Sequence, residues 1–286
     1  MKIQYYQTAK EFLSHAGKAL AQDEARYNLT FGLAKRLLDN PHLYGQAAPW
    51  FCSVQDKGVI CAAAMRTPPY KVLLAYFSGD LKTIAENLII SVSKKWKVIP
   101  GATGDKELAD LFVELWCRKH GVKVKTEVTV KQCIYKLDKV NDVPLSPGHL
   151  RPATEVETDL VRQWGHAFFI DTHGLDRNVP ETDITPQIGS GAVFFWEDGK
   201  PVSMAIKYRP TDKGQTVSTV YTPPELRGKG YASSCVAELS RNILQSGYRF
   251  CTLYTNLANP TSNAIYKKIG YREVADSVDY TFTVPQ

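Results

Sequence analysis

Residues 217–239, VSTVYTPPELRGKGYASSCVAEL, read as a strand, a loop and a helix. The strand stops at Thr222, because Pro223 and Pro224 lack the N–H donors that a ladder requires. Gly228 and Gly230 tolerate positive φ and carry no side chains, so successive backbone N–H groups can face one concavity. Together with the positive end of the following helix, such a loop suits a pyrophosphate, and Arg227 and Lys229 add charge. It is not a P-loop, since no Gly-Lys-Ser or Gly-Lys-Thr follows, and the dinucleotide fingerprint would need a third glycine. Taken alone, the same residues also describe a generic tight turn.

A second stretch, residues 259–271 (NPTSNAIYKKIGY), reads as one short helix. Asn259 suits the N-cap, Pro260 the first helical position and Gly270 a left-handed C-terminus. At about 100° per residue, Ser262 and Asn263 share a side with Tyr266, while Ile265 and Ile269 share another. Tyr266 can thereby be aimed along a polar stripe toward the end of the preceding strand. Its plainer reading is a packing aromatic.

The elements that must position these stretches recur along the chain. In the first half, helices are expected at residues 9–22, 27–38, 80–94 and 106–120, with strands at 50–55, 59–66, 72–77 and 122–137. A polar segment with two prolines, residues 138–148, reads as a linker. Beyond it come a short strand at 150–152 and a capping box, Thr154 with Glu157, opening a helix to about residue 168. A loop over 171–191 and a hairpin of strands 192–197 and 201–208 lead into the strand and helix described above. Strand 250–256, helix 260–269 and two final strands, 271–274 and 278–284, complete the half. Both halves list their elements in a similar order, which suggests an old internal duplication.

Composition bounds the rest. A chain of 286 residues with 44% hydrophobic and 22% charged residues is sized for two cored domains. No apolar run approaches the roughly 20 residues that cross a bilayer, and the N-terminus lacks the features of an export signal, so no membrane partner and a cytoplasmic location are expected. Six irregularly spaced cysteines read as reduced core thiols, with no metal site. The net charge of +6 is scattered, without the basic stripe and aromatics of a nucleic-acid surface. It fits attraction of a polyanionic cofactor instead.

Together, the two motifs resemble the GNAT superfamily of CoA-dependent N-acyltransferases. Its Arg/Gln-x-x-Gly-x-Gly/Ala loop is met by Arg227, Gly230 and Ala232. Its Asn-x-x-Ser/Ala-x-x-Leu/Ile-Tyr-x-Lys-x-Gly-Phe/Tyr helix is met by Asn259, Ser262, Ile265, Tyr266, Lys268, Gly270 and Tyr271. The resemblance implies an α/β fold of two GNAT-like domains, each a mixed, mostly antiparallel sheet flanked by helices. Residues 1–140 would be a degenerate domain without the cofactor loop, and 148–286 the catalytic one. Acetyl-CoA would lie with its pantetheine arm beside Val220, Tyr221 and Thr222. Its pyrophosphate would meet Arg227, Gly228, Lys229, Gly230, Tyr231, Ala232 and Ser233, and Asn259 would support it. Tyr266 would protonate the departing thiolate after direct attack by an amine of a small molecule or peptide.

In the first half, Ser78-Gly79-Asp80-Leu81 stands where the loop would be, and a carboxylate at a helix start opposes a phosphate. One acyl-CoA site per chain is therefore expected. Asp171, His173 and Asp176 lie where the family commonly contacts acceptors, and the amine-deprotonating group is not assigned. A CoA-binding regulatory or scaffold protein without turnover is the alternative from another class.

Overall fold

The computed structural model describes residues 1–125, 129–173 and 185–283. The first half runs β1 (Lys2–Tyr6), α1 (Ala9–Gln22), α2 (Asn28–Asp39), β2 (Trp50–Asp56), β3 (Val59–Arg66), β4 (Val72–Tyr76), α3 (Leu81–Lys95), β5 (Gly101–Asp105), α4 (Lys106–His120) and β6 (Val130–Leu137). The second runs β7 (His149–Pro152), α5 (Thr158–His173), α6 (Thr185–Gly189), β8 (Val193–Glu197), β9 (Pro201–Tyr208), β10 (Gly214–Tyr221), α7 (Tyr231–Gln245), β11 (Phe250–Asn256), α8 (Pro260–Ile269) and β12 (Arg272–Thr281). Element for element, the two series are the same.

These strands form one sheet, ordered β1-β2-β3-β4-β5-β12-β6-β11-β10-β9-β8-β7. Pairing is antiparallel throughout except at β4–β5 and β10–β11. The last strand of each half is crossed into the other. β12 pairs with β5 through Ser277–Asp105 to Thr281–Gly101, and β6 pairs with β11 through Leu137–Cys251 to Gln132–Asn256. The β12–β6 pair then closes the middle.

Alternation along the strands sorts the helices by face. Val278 on β12 stands opposite Lys131 on β6, the same side as Cys133, Tyr135 and Leu137. Val278 belongs to the core with Leu88, Phe112 and Trp116 of α3 and α4, and the β6 residues to the core with Leu239, Tyr266 and Ile269 of α7 and α8. Those four helices therefore cover one face. Phe12 and Phe31 of α1 and α2, and Val161, Trp164 and Ile188 of α5 and α6, build the cores of the other.

Several expectations need correction. β1 and β5 were not anticipated. The β5 sequence, GATGD, is unlike a strand because β5 is squeezed between neighbours. A Cβ on Gly101 would collide with the Tyr280 carbonyl and one on Gly104 with that of Leu74. Helix α5 continues through His173, which puts Asp171 on a helix and not in a loop. Instead of two final strands there is one, β12, with a bulge between Glu273 and Ala275, and Val284 lies outside the described residues. The capping box at Thr154 and Glu157 is present, opening a 3-10 turn ahead of α5. Residues 138–148 are docked against the second half: Val143 is buried, and Asn141 bonds the Ile269 carbonyl through its N–H at 2.8 Å.

Candidate active site

The parallel ladder of β10 and β11 is short. It spans Gly214–Phe250 to Thr216–Thr252, while β10 continues to Tyr221 and β11 to Asn256. Past Thr216 and Thr252 the strands no longer pair, which leaves a wedge. A bulge between Ser218 and Tyr221, with Thr219 at φ +51°, turns β10 away. Backbone polar groups facing such a wedge have no strand partner, so an extended molecule carrying amides can pair with them.

At the mouth of the wedge lies the glycine loop. Gly228 and Gly230 take φ +78° and +81°, and Gly230 is the left-handed N-cap of α7. The N–H groups of Gly228 to Ser233 have no protein acceptor among the described residues. Several unpaired donors at the positive end of a 15-residue helix make an anion cradle. Lys229 is exposed on it, while Ala232 and Ser233 lie in the first helical turn. The former linker braces the loop from behind. Ser146 Oγ donates to the Lys229 carbonyl at 2.7 Å, and the Ser146 N–H donates to Ser234 Oγ at 2.8 Å.

Arg227 has protein partners of its own. Its Nε donates to the Thr222 carbonyl at 2.9 Å and its Nη2 to the Asp171 carboxylate, so it fastens the loop to the strand end and to α5. Tyr231 is tied to Asp198 through its hydroxyl at 2.7 Å. Val220 packs toward the α7–α8 core, whereas Tyr221 faces α5, its ring 5.9 Å from that of Trp164. Burial, then the Asp171 charge, raises the Tyr221 phenol above its ordinary range. Thr222 Oγ1 donates to Ser203 Oγ at 2.9 Å and is turned into the sheet.

Helix α8 is built as its sequence reads, with Asn259 capping, Pro260 at its start and Gly270 left-handed at φ +114°. Asn259 Oδ1 accepts the Ser262 N–H at 3.0 Å, so its acceptor oxygen serves the helix. Tyr266 is not on an open polar stripe. It is 8% exposed, with its ring 6.4 Å from Tyr135 and 6.0 Å from Tyr271. Its hydroxyl makes no hydrogen bond to a described residue. Burial, with a smaller contribution from nearby Cys235, pushes that hydroxyl up to about 12. A phenol in this state has its proton available for a nearby acceptor.

The first half repeats the wedge and fills it. β4 and β5 pair only from Val72–Ala102 to Leu74–Gly104. Asp105 then accepts the Tyr76 N–H at 2.9 Å and Arg26 Nε at 2.5 Å, and Tyr27 donates to the Tyr76 carbonyl at 2.7 Å. Burial pushes the Asp105 carboxyl above the ordinary carboxylate range in spite of Arg26. Asp80 caps α3 by accepting the Thr83 N–H at 2.8 Å, which puts a carboxylate where the second half has a glycine cradle. Sequence reading found Asp80 but missed Asp105 and Ser146, because their partners lie on other elements.

Asp176 and the His173 side chain lie outside the described part of the structure. Among the described residues, no group of His, Cys, Asp and Glu could hold a metal ion, and no helix is long and apolar enough to cross a membrane. Five of the six cysteines are buried, and none is paired.

Comparison with known proteins places this geometry. Residues 199–279 match the model of the FR47-like protein family. No curated protein matches the chain. Among solved structures, a Drosophila melanogaster protein superposes with TM-score 0.72 at 14% identity, covering 98% of each chain. A GCN5-related N-acetyltransferase from Sphaerobacter thermophilus gives TM-score 0.64 at 11% identity, over 99% of this chain and 96% of its own. A tandem GNAT protein from the clavulanic acid biosynthesis pathway gives 0.55 at 11% identity, covering both chains completely. The chain has the tandem GNAT fold, and its second half carries the FR47-like match.

Proposed function

We propose that the protein transfers an acetyl group from acetyl-CoA to a primary amine of a small molecule or peptide, at a single site in the second half. The observation that carries this reading is the contrast between the two wedges. One is open, with a cradle of unpaired amides and an unbonded buried phenol; the other is closed by Asp105, Arg26 and Tyr27. When bound, acetyl-CoA supplies an activated thioester carbonyl to an approaching amine. The amides of Gly228 to Ser233 hold its pyrophosphate, and the free edge of β10 beside Val220 to Thr222 pairs with its pantetheine arm. Attack by the neutral amine forms the C–N bond, and collapse breaks the C–S bond. Tyr266 gives its proton to the departing sulfur, and the proton lost by the amine restores the phenol through solvent. A phenol with its pKa raised stays protonated at neutral pH, and a thiolate of lower ordinary pKa becomes basic enough to take the proton once desolvated.

Calorimetric titration of the chain with acetyl-CoA should show one site per chain, and thiol release over an amine panel should show turnover. Two sites would refute the single-site reading. Tight binding without turnover on any amine would turn the conclusion to a CoA-binding regulatory protein.

A further inference from the structure

Asn263 lies on α8, one turn before Tyr266, and its amide is fixed by both of its donors. Nδ2 donates to the Asn256 carbonyl at 3.2 Å and to the Asn259 carbonyl at 2.8 Å. These bonds fix which end is oxygen. The oxygen, Oδ1, is buried from water and has no hydrogen-bond partner among the described residues. A buried acceptor without a donor is destabilising, and in native proteins it calls for a missing partner.

The position of Asn263 narrows what that partner is. Asn256 is the last residue of β11, so the amide pinned to its carbonyl stands at the β11 side of the open wedge. A neutral acceptor oxygen repels phosphate and carboxylate and needs an N–H or O–H donor. Within acetyl-CoA, the thioester has no donor and the phosphates belong to the cradle at α7. The donors between them all belong to the pantetheine arm, its two amide N–H groups and its one hydroxyl. Asn259, the asparagine that the family motif would assign, already uses its oxygen on Ser262.

We propose that Asn263 Oδ1 accepts a hydrogen bond from a donor of the pantetheine arm, amide or hydroxyl, and sets the depth at which the thioester meets Tyr266. This rests on the acetyl-CoA reading above. The test is calorimetric binding of two probes, acetyl-CoA and adenosine 3′-phosphate 5′-diphosphate, which keeps the nucleotide and both 5′ phosphates but lacks the arm. Asn263→Ala should weaken acetyl-CoA by about 2- to 10-fold, the range for one neutral hydrogen bond, and leave the nucleotide unchanged. Asn263→Ser, whose hydroxyl can still bond the Asn259 carbonyl one turn back and hold the helix, should show the same selective loss.

Unchanged acetyl-CoA affinity in both variants overturns the assignment, as does an equal loss for the two probes. A rise confined to the KM of the amine overturns it too, since Oδ1 would then meet the acceptor. If the wild-type chain binds the nucleotide but gains nothing from the arm, only this proposal fails. If it binds neither probe, the acetyl-CoA reading itself fails.

Discussion

Replacing Tyr266 with phenylalanine separates chemistry from packing. The ring is enclosed by Tyr135 and Tyr271, with centroids 6.4 and 6.0 Å away, and phenylalanine keeps all of that contact. The lost hydroxyl has no bonded partner among the described residues, so its removal strands no other group. Stability should therefore hold or rise by up to about 1 kcal/mol, because a poorly solvated hydroxyl leaves the core. Turnover should fall about 100- to 10,000-fold, the range for loss of a positioned general acid. Acetyl-CoA affinity should stay the same. The phenol is pushed up to about 12, so activity of the wild type should show no loss from its ionisation below about pH 11, and a rise with pH reports the amine. The assay is thiol release under saturating acetyl-CoA, run beside a thermal melt. Unchanged turnover in the variant would remove Tyr266 from the chemistry. A fall in melting temperature matching the loss of activity would make it a packing residue.

Gly230→Ala must hold φ +81° with a Cβ 2.6 Å from Ser146 Oγ, strain of about 1–2 kcal/mol at the cradle. Acetyl-CoA affinity should drop about tenfold or more in titration, and an unchanged Kd would show that the cradle does not hold the cofactor. Deleting residues 272–286 removes the strand between β5 and β6, so neither half should give dispersed amide resonances. A native-like spectrum from the first half would contradict the crossed topology. Glu157 is held down to about 2, chiefly by its bonds with Arg151 at 2.6 and 2.9 Å. Its folded pKa lies below its unfolded one, so its contribution, up to about 3 kcal/mol, is complete above pH ~4.5 and vanishes as the pH falls toward 2. Urea midpoints at pH 6 and pH 3 should differ less in Arg151→Met than in the wild type, and equal differences would refute the assignment.

Local chemistry made much of this legible beforehand. Asn259, Pro260 and Gly270 specify the bounds of α8 by capping alone, and Gly228 and Gly230 announce a left-handed loop because few other residues accept it. Tyr266 was placed on the correct helix, but its burial depends on Tyr135 from the first half, 131 positions earlier. The Arg227–Asp171 pair was not foreseen, because Asp171 was expected on a loop and not at the end of a helix. β5 escaped notice for a similar reason. Its glycines are required by the closeness of Leu74 and Tyr280, and strand propensity has no record of such neighbours.

The crossing of β6 and β12 also orders events in time. A ribosome releases the first half with β1 to β5 made and β6 following, yet the strand that belongs against β5 is translated after every other strand. Until then β5 presents an unpaired edge, and β6 has neither of its final neighbours. Ladders between residues so far apart close slowly, and open edges invite pairing with other chains. The nascent protein therefore spends most of its synthesis with its central seam unsewn, and its yield in a cell should depend on chaperones that shield strand edges more than on the stability of the finished sheet.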